Sequence, residues 1–231
     1  MIFSKIPSGI TGLDKIIGGG FIRGSITTIS GSTGSGRTTF GIQFLIHGAQ
    51  EEDEVGMHIS FDQPKYSIFG NMSSFDWNLP ELEKNKKLIF IEYPHSELKS
   101  FWEKENAILE LIDGLNVERL VIDPIGPLIT ANSDVEKKIF LQKLINIIRK
   151  WGTTTLIIED EQFSPDPTLP KTESGIENFS DGFIHLGWKS MDNKKIRMIE
   201  VVKMRGSAHE HNSYQYIIDS QGVKIQKELK K

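Results

Sequence analysis

The sequence predicts an α/β fold with a mostly parallel central sheet, helices on both faces and antiparallel hairpins at its C-terminal end. Three observations carry this prediction. Up to residue 160, short apolar runs rich in Ile, Val, Leu and Thr alternate with longer segments of helical period. A glycine-rich stretch, "GSTGSGRTT" at 31–39, falls between the first of these runs and the first helical segment. Beyond residue 180, two strand–turn–strand patterns follow one another with no helix between them.

The strand runs are "SITTIS" (25–30), "VGMHISF" (55–61), "KLIFIEY" (87–93), "ERLVIDP" (118–124) and "TTTLIIED" (153–160). Helices are expected near 38–50, 65–75, 102–115 and 134–150. In the last, Ile139, Leu144, Ile147, Ile148 and Trp151 form an apolar stripe among lysines. Strands separated by helices imply right-handed βαβ units and a sheet covered on both faces. The stretch "EQFSPDPTLPKTESG" (161–175) is proline-rich and aperiodic, so it reads as a loop. "GFIHLGWKS" and "KIRMIEVVKMR" around "MDNK" read as one hairpin, and "YQYIID" and "VKIQ" around "SQG" as a second. No repeat or linker divides the chain, so residues 1–231 are expected to form a single domain.

Composition narrows the function classes. The 231 residues suffice for one sizeable core. Lys plus Arg is 27 against 31 Asp plus Glu, a net charge of −4, which weighs against a nucleic-acid coat. The 161–178 loop, with Asp166, Glu173 and Glu177 against Lys171, does not read as a DNA loop either. There is no cysteine for disulfides, thiolate zinc or thiol catalysis. "MIFSKIPSG" does not read as a signal peptide, and no apolar run approaches the ~18 residues of a membrane span. A soluble, cytoplasmic protein is expected. "HEH" at 209–211 reads as surface, with no carboxylate spacing to complete a metal site.

The glycine-rich stretch fits the phosphate-loop pattern G-x-x-x-x-G-K-[ST] except at one position. Gly31, Ser32, Thr33, Gly34, Ser35 and Gly36 form the turn, Thr38 and Thr39 open the helix, and Arg37 replaces the usual lysine. Convergent backbone N–H groups and the helix dipole make such a turn an anion site. The Thr38 hydroxyl suits Mg²⁺, and Asp123, ending an apolar run, suits the second metal contact. Asp123 alone would read as a turn or cap residue; beside a phosphate loop, the metal role prevails. Arg37 supplies charge in a wider planar fork, which is not a conservative exchange at a tight site. A displacement of about an ångström at the reacting phosphate costs on the order of 10²-fold in rate.

Three phrases in order now carry a resemblance. They are "IPSGITGLDKIIGGGFIRGSITTISGSTGSGRTTFGIQFLIHGA", "HISFDQPKYSIFGNMSSFDWNL" and "VVKMRGSAHEHNSYQYIIDSQGVKI". The sequence resembles, nearly end to end, the KaiC-like branch of the RecA/RadA superfamily of P-loop ATPases. The resemblance implies a RecA-like P-loop NTPase core, with ATP and Mg²⁺ as ligands. It also implies homo-oligomers, often rings, with ATP at subunit interfaces. In such rings the cations of the "KMRG" phrase, here Lys203 and Arg205 with His209 nearby, reach the neighbour's phosphates. Read by residues alone, Lys203 and Arg205 share one strand face and could point at one anion.

The departures fall on the chemistry. Where the family has paired glutamates, one of which activates water, this chain has Asp62 and Gln63. Asp62 is a shorter carboxylate, and Gln63 can orient water but not usefully accept a proton. Pro124 stands where the family places a serine after the metal-binding Asp. At the Ser–Thr pair that the clock branch autophosphorylates, alignment gives Glu177 and Asn178, which disfavours such autokinase activity. The expectation is an ATP-binding protein with slow or absent hydrolysis, serving as a nucleotide-dependent regulatory or assembly component with an unnamed protein partner. Two rivals stand beside it: a scaffold that binds no nucleotide, and a true slow ATPase with Asp62 as base.

Overall fold

The computed structural model describes residues 4–129, 133–162, 170–191 and 194–229. A short antiparallel ribbon, β1 (Lys5–Ile6) with β2 (Phe21–Ile22), brackets α1 (Leu13–Ile16). Then β3 (Ile26–Gly31) leads into α2 (Arg37–Glu51), and β4 (Val55–Ser60) into α3 (Lys65–Met72) and α4 (Leu79–Lys84). After β5 (Leu88–Glu92) come α5 (Leu98–Glu103) and α6 (Glu105–Leu115). Next are β6 (Val117–Asp123), α7 (Asp134–Trp151) and β7 (Thr154–Asp160). The chain closes with β8 (Gly182–Met191), β9 (Lys194–Met204), β10 (Ser213–Asp219) and β11 (Gly222–Glu228).

Nine of these strands form one sheet in the order β11-β10-β9-β8-β3-β7-β6-β4-β5. From β8 to β5 the pairing is parallel, and from β8 to β11 it is antiparallel. The parallel strands end together, so Gly31, Ser60, Asp123 and Asp160 gather along one edge, where α/β folds bind ligands. Alternate strand residues feed two cores. Ile29, Val121, Leu156 and Ile158 face α2, while Ile26, Leu120, Ile122 and Ile157 face α6 and α7.

Local chemistry sets the helix ends. Ser133 caps α7 by accepting from Glu136 N, the S-x-x-E arrangement, and Gly152 ends the helix in the left-handed conformation at φ 72°. The apolar stripe differs from expectation at one residue. Ile139 is 64% exposed and Leu141 takes its place beside Leu144, Ile147, Ile148 and Trp151. The segment expected as a helix over 102–115 is two helices that meet at Lys104. The α3 helix stops at Met72 rather than 75, and β1, β2, α1 and α4 were not expected. The turn at 192–193 and Asp166 lie outside the described residues.

Two antiparallel-side features brace the loop. Tyr216 on β10, fully buried, donates its hydroxyl hydrogen to Ser35 O. Ile218 lies so close to Gly36 that a Cβ there would stand 2.4 Å from its Cδ1, and φ is +89°. Glycine is therefore required at 36 on both counts.

Candidate functional site

The loop from Gly31 to Gly36 joins the buried strand β3 to α2. Gly34 (φ +79°) has open space where a Cβ would point, and Ser35 N bonds back to Ser32 O at 3.1 Å. Gly36 begins α2 in the left-handed conformation and no side chain caps that helix. Its first-turn N–H groups are thus left to an anion, which is the fit a phosphate requires.

A cavity of about 100 Å³ opens beside the loop, lined by Arg37, Thr38, Ser60, Asp62, Gln63, Ile68, Asp123, Pro124 and Asp160. The fold therefore brings together Arg37, Thr38, Asp62, Gln63 and Asp123 from two strand ends and one helix start. Thr38 and Asp123 share this wall, and their oxygens fit what Mg²⁺ would require, one or two protein ligands with phosphate and water completing the shell. A second cavity of about 280 Å³ continues past Asp62 and Gln63 to Glu92 and Tyr93.

Each carboxylate wall is held in place. Ser60 pairs in register with Asp123, and Phe61 N donates to Asp123 O at 3.0 Å. Ser60 Oγ donates to Gln63 O at 2.6 Å and accepts from Gln63 N at 3.1 Å, closing a tight turn that presents Asp62. Gln63 Oε1 accepts from Asn71 Nδ2 at 3.3 Å. The peptide between Asp123 and Pro124 is cis.

Arg37 is the centre of the arrangement. Its Nη1 donates to Gly31 O and, at 2.7 Å, to Glu159 O; its Nη2 lies 2.5 Å from Asp160 Oδ1. The guanidinium is thus turned onto the ends of β3 and β7 and engages three of this chain's own acceptors.

Beneath it runs a buried polar row. Glu159, Ser30 and His185 stand side by side on β7, β3 and β8. Ser30 Oγ bonds His185 Nδ1 at 3.0 Å, and His185 Nε2 lies 3.3 Å from Glu161 Oε2. Burial, then the positive charge of Arg37, pulls the His185 imidazole down to about 4. Burial pushes the Glu159 carboxyl up to about 7, against the hydrogen bonds from Ser174 and from Asp160 N. Asp160 and Glu159 were not singled out from sequence. Their signal was nevertheless there: "LIIED" is an apolar run ending in acids, the pattern that found Asp123.

Lys203 and Arg205 are not brought to this cavity. Lys203 pairs in register with Phe183, near the start of β8, whereas the loop leaves β3 beside Leu186. Lys203 Nζ donates to Glu177 O at 2.8 Å and Ser180 O at 2.6 Å, and Arg205 lies 3.8 Å from Asp181 Oδ1. Lys203 lies on β9 and Arg205 in the turn just beyond it, so the two do not share one strand face as expected, and they point at separate acceptors rather than at one anion. Burial, and then Arg205, lowers the Lys203 pKa. Among the described residues, no cluster of three His, Cys, Asp or Glu side chains is placed to hold a metal, and "HEH" supplies none. No helix of the described residues is long and apolar enough to cross a membrane.

A glycine-rich loop between a buried parallel strand and a helix, with an Asp and a Thr sharing a cavity beside it, defines a P-loop protein of RecA-like α/β architecture. The family model described as "ATPase: KaiC" matches residues 6–230, and the chain belongs to that family. It is 32% identical to the circadian clock protein KaiC2 of Synechocystis sp., with 96% of this chain and 40% of that protein covered. The chain therefore spans about two fifths of that relative. It is 27% identical to a UPF0273 protein of Thermotoga maritima, covering 97% of this chain and 96% of that one. The crystal structure of a KaiC-like protein of Pyrococcus horikoshii OT3 matches with a TM-score of 0.85 at 27% identity, covering 97% of this chain and 100% of that one. Nucleotide binding is what membership of this family implies.

Proposed function

We propose that the protein binds ATP with Mg²⁺ at the Gly31–Gly36 loop, hydrolyses it slowly or not at all, and acts as a nucleotide-dependent regulatory or assembly component. The observation that carries this reading is the state of Arg37. The loop retains its anion-binding backbone, while the cation that should follow a reacting phosphate is engaged by Gly31 O, Glu159 O and Asp160. Binding is thereby kept and turnover weakened, because catalysis requires groups aimed at the charge that develops in the transition state.

Thr38 and Asp123 would hold Mg²⁺, which supplies charge neutralisation at the phosphates when bound. Asp62 lines the same cavity, which favours a second reading, slow hydrolysis with Asp62 as the base that receives the water proton. Lys203 and Arg205, remote from their own loop, would serve the loop of a neighbouring copy in a homo-oligomer in the cytoplasm. Bound nucleotide then acts through its differential affinity for two states of that assembly.

Calorimetric titration of the folded protein with Mg-ATP tests this. Binding without continuing heat is the expected result, and sustained heat would restore an enzyme and point to Asp62. No binding would leave the scaffold reading, in which the chain works through protein contacts alone.

A further inference from the structure

The wall facing the loop carries Asp62, Asp123 and Asp160 against the single cation Arg37, a formal excess of two negative charges. Arg37 is already paired with Asp160 at 2.5 Å and spends its other terminal nitrogen on two backbone carbonyls. From this arrangement we infer that Asp160 is a specificity-determining residue. By holding Arg37 on the end of β7 it removes the reward for a third phosphate, so the site takes nucleoside diphosphates at least as well as triphosphates. The inference rests on the nucleotide-binding reading above and deepens it.

The physical steps are short. In a phosphate loop, the backbone N–H groups and helix dipole bind the inner phosphates, and the cation after the last glycine reaches the β- and γ-phosphates. The first contribution is intact here, since Gly34 is open and α2 has no side-chain cap. The second is spent internally. A third phosphate would have to compete with a carboxylate for a guanidinium that matches it in shape, and would bring further negative charge against Asp62 and Asp123. Mg²⁺ held by Thr38 and Asp123 would offset that repulsion for either nucleotide, and so would not restore the preference. Asp160 is half-exposed, so its pairing with Arg37 holds the guanidinium without being essential to the core.

The test is a pair of calorimetric titrations, Mg-ADP and Mg-ATP, on the full chain and on Asp160→Asn, Arg37→Ala and the double variant. The wild-type chain is expected to bind the two nucleotides within about threefold of one another, and Asp160→Asn to shift the ratio toward ATP by about tenfold. That shift is expected to disappear in the Arg37→Ala background, which a merely structural role of Asp160 would not produce. A wild-type preference for ATP above about threefold overturns the inference, as does a ratio unchanged by Asp160→Asn or a shift that persists without Arg37. If the folded protein binds neither nucleotide, the nucleotide-binding reading fails first and takes this inference with it. If it binds both with an unchanged ratio, only this inference fails.

Discussion

Arg37 Nη2 stands 2.5 Å from Asp160 Oδ1, joining the first residue of α2 to the last residue of β7. A lysine could not reproduce this. Its three N–H donors radiate from one nitrogen, whereas the two terminal nitrogens of the arginine fork divide the Gly31 and Glu159 carbonyls from Asp160.

Arg37→Lys is therefore expected to release the position toward phosphate and to tighten Mg-ATP binding by about tenfold. Thermal melting of the ligand-free protein should show a cost of about 1 kcal/mol from the lost internal bonds. Unchanged affinity in a protein that binds no nucleotide would count for the scaffold.

Asp62→Asn separates slow turnover from none. If Asp62 receives the proton of the attacking water, the substitution should lower the residual rate by about 10²-fold or more while leaving Mg-ATP affinity within about threefold. Phosphate release over hours gives the rate, and an unchanged rate removes Asp62 from the mechanism.

Glu159 and His185 give the pH dependence two opposed contributions. The Glu159 carboxyl is raised from 4.5 to about 7, so its contribution to stability is present below pH 4.5 and is lost as pH rises through 7. The His185 imidazole is lowered from 6.5 to about 4, so its contribution is present above pH 6.5 and is lost as pH falls through 4. Glu159→Gln should remove the first alone. Urea titrations should show the variant gaining on the wild type from pH 5 to 8, by an amount on the order of 3 kcal/mol at the upper end. A variant whose stability tracks the wild type across that range would mean that Glu159 is ionised at little cost.

Tyr216→Phe removes the hydroxyl that holds Ser35 O and leaves the ring packed. The expected loss of stability is about 1 kcal/mol, and nucleotide affinity should fall more than stability does, because the bond fixes the loop itself. Calorimetry against denaturant melts distinguishes the two, and a variant that melts lower but binds as before would make Tyr216 a core residue only.

The parallel strands β3 to β7, α2 and α7 were legible because β-branched runs and a 3.6-residue stripe leave strong periodic signals. The loop was legible because its glycines have fixed spacing. Short elements such as β1, β2 and α4 were not, since two to six residues carry no period. Ile139 was misread because it opens the apolar run Ile139, Phe140, Leu141, whose members point in different directions around a helix, so the run alone does not say which of them faces the core. Thr38, Asp62 and Asp123 converge as the motifs suggested, but the partner of Arg37 lies 123 residues further along the chain, and only the register of β3 on β7 reveals it. Tyr216 is hidden for the same reason: nothing in "YQYIID" says which tyrosine faces the loop.

Lys203 and Arg205 stand beside the start of β8, and the loop departs about three residues further along it, on the order of 10 Å away. A chain built this way has a head and a tail. Copies that met through those ends would touch by two different surfaces, and such a contact closes only when its rotation divides a circle. Damage would then be shared unevenly. In such an assembly a chain altered at its loop would still lend cations to the next, and a chain altered at Lys203 would still offer a loop to the one before. Mixed together, the two defective chains would form one complete pairing that neither could form with copies of itself.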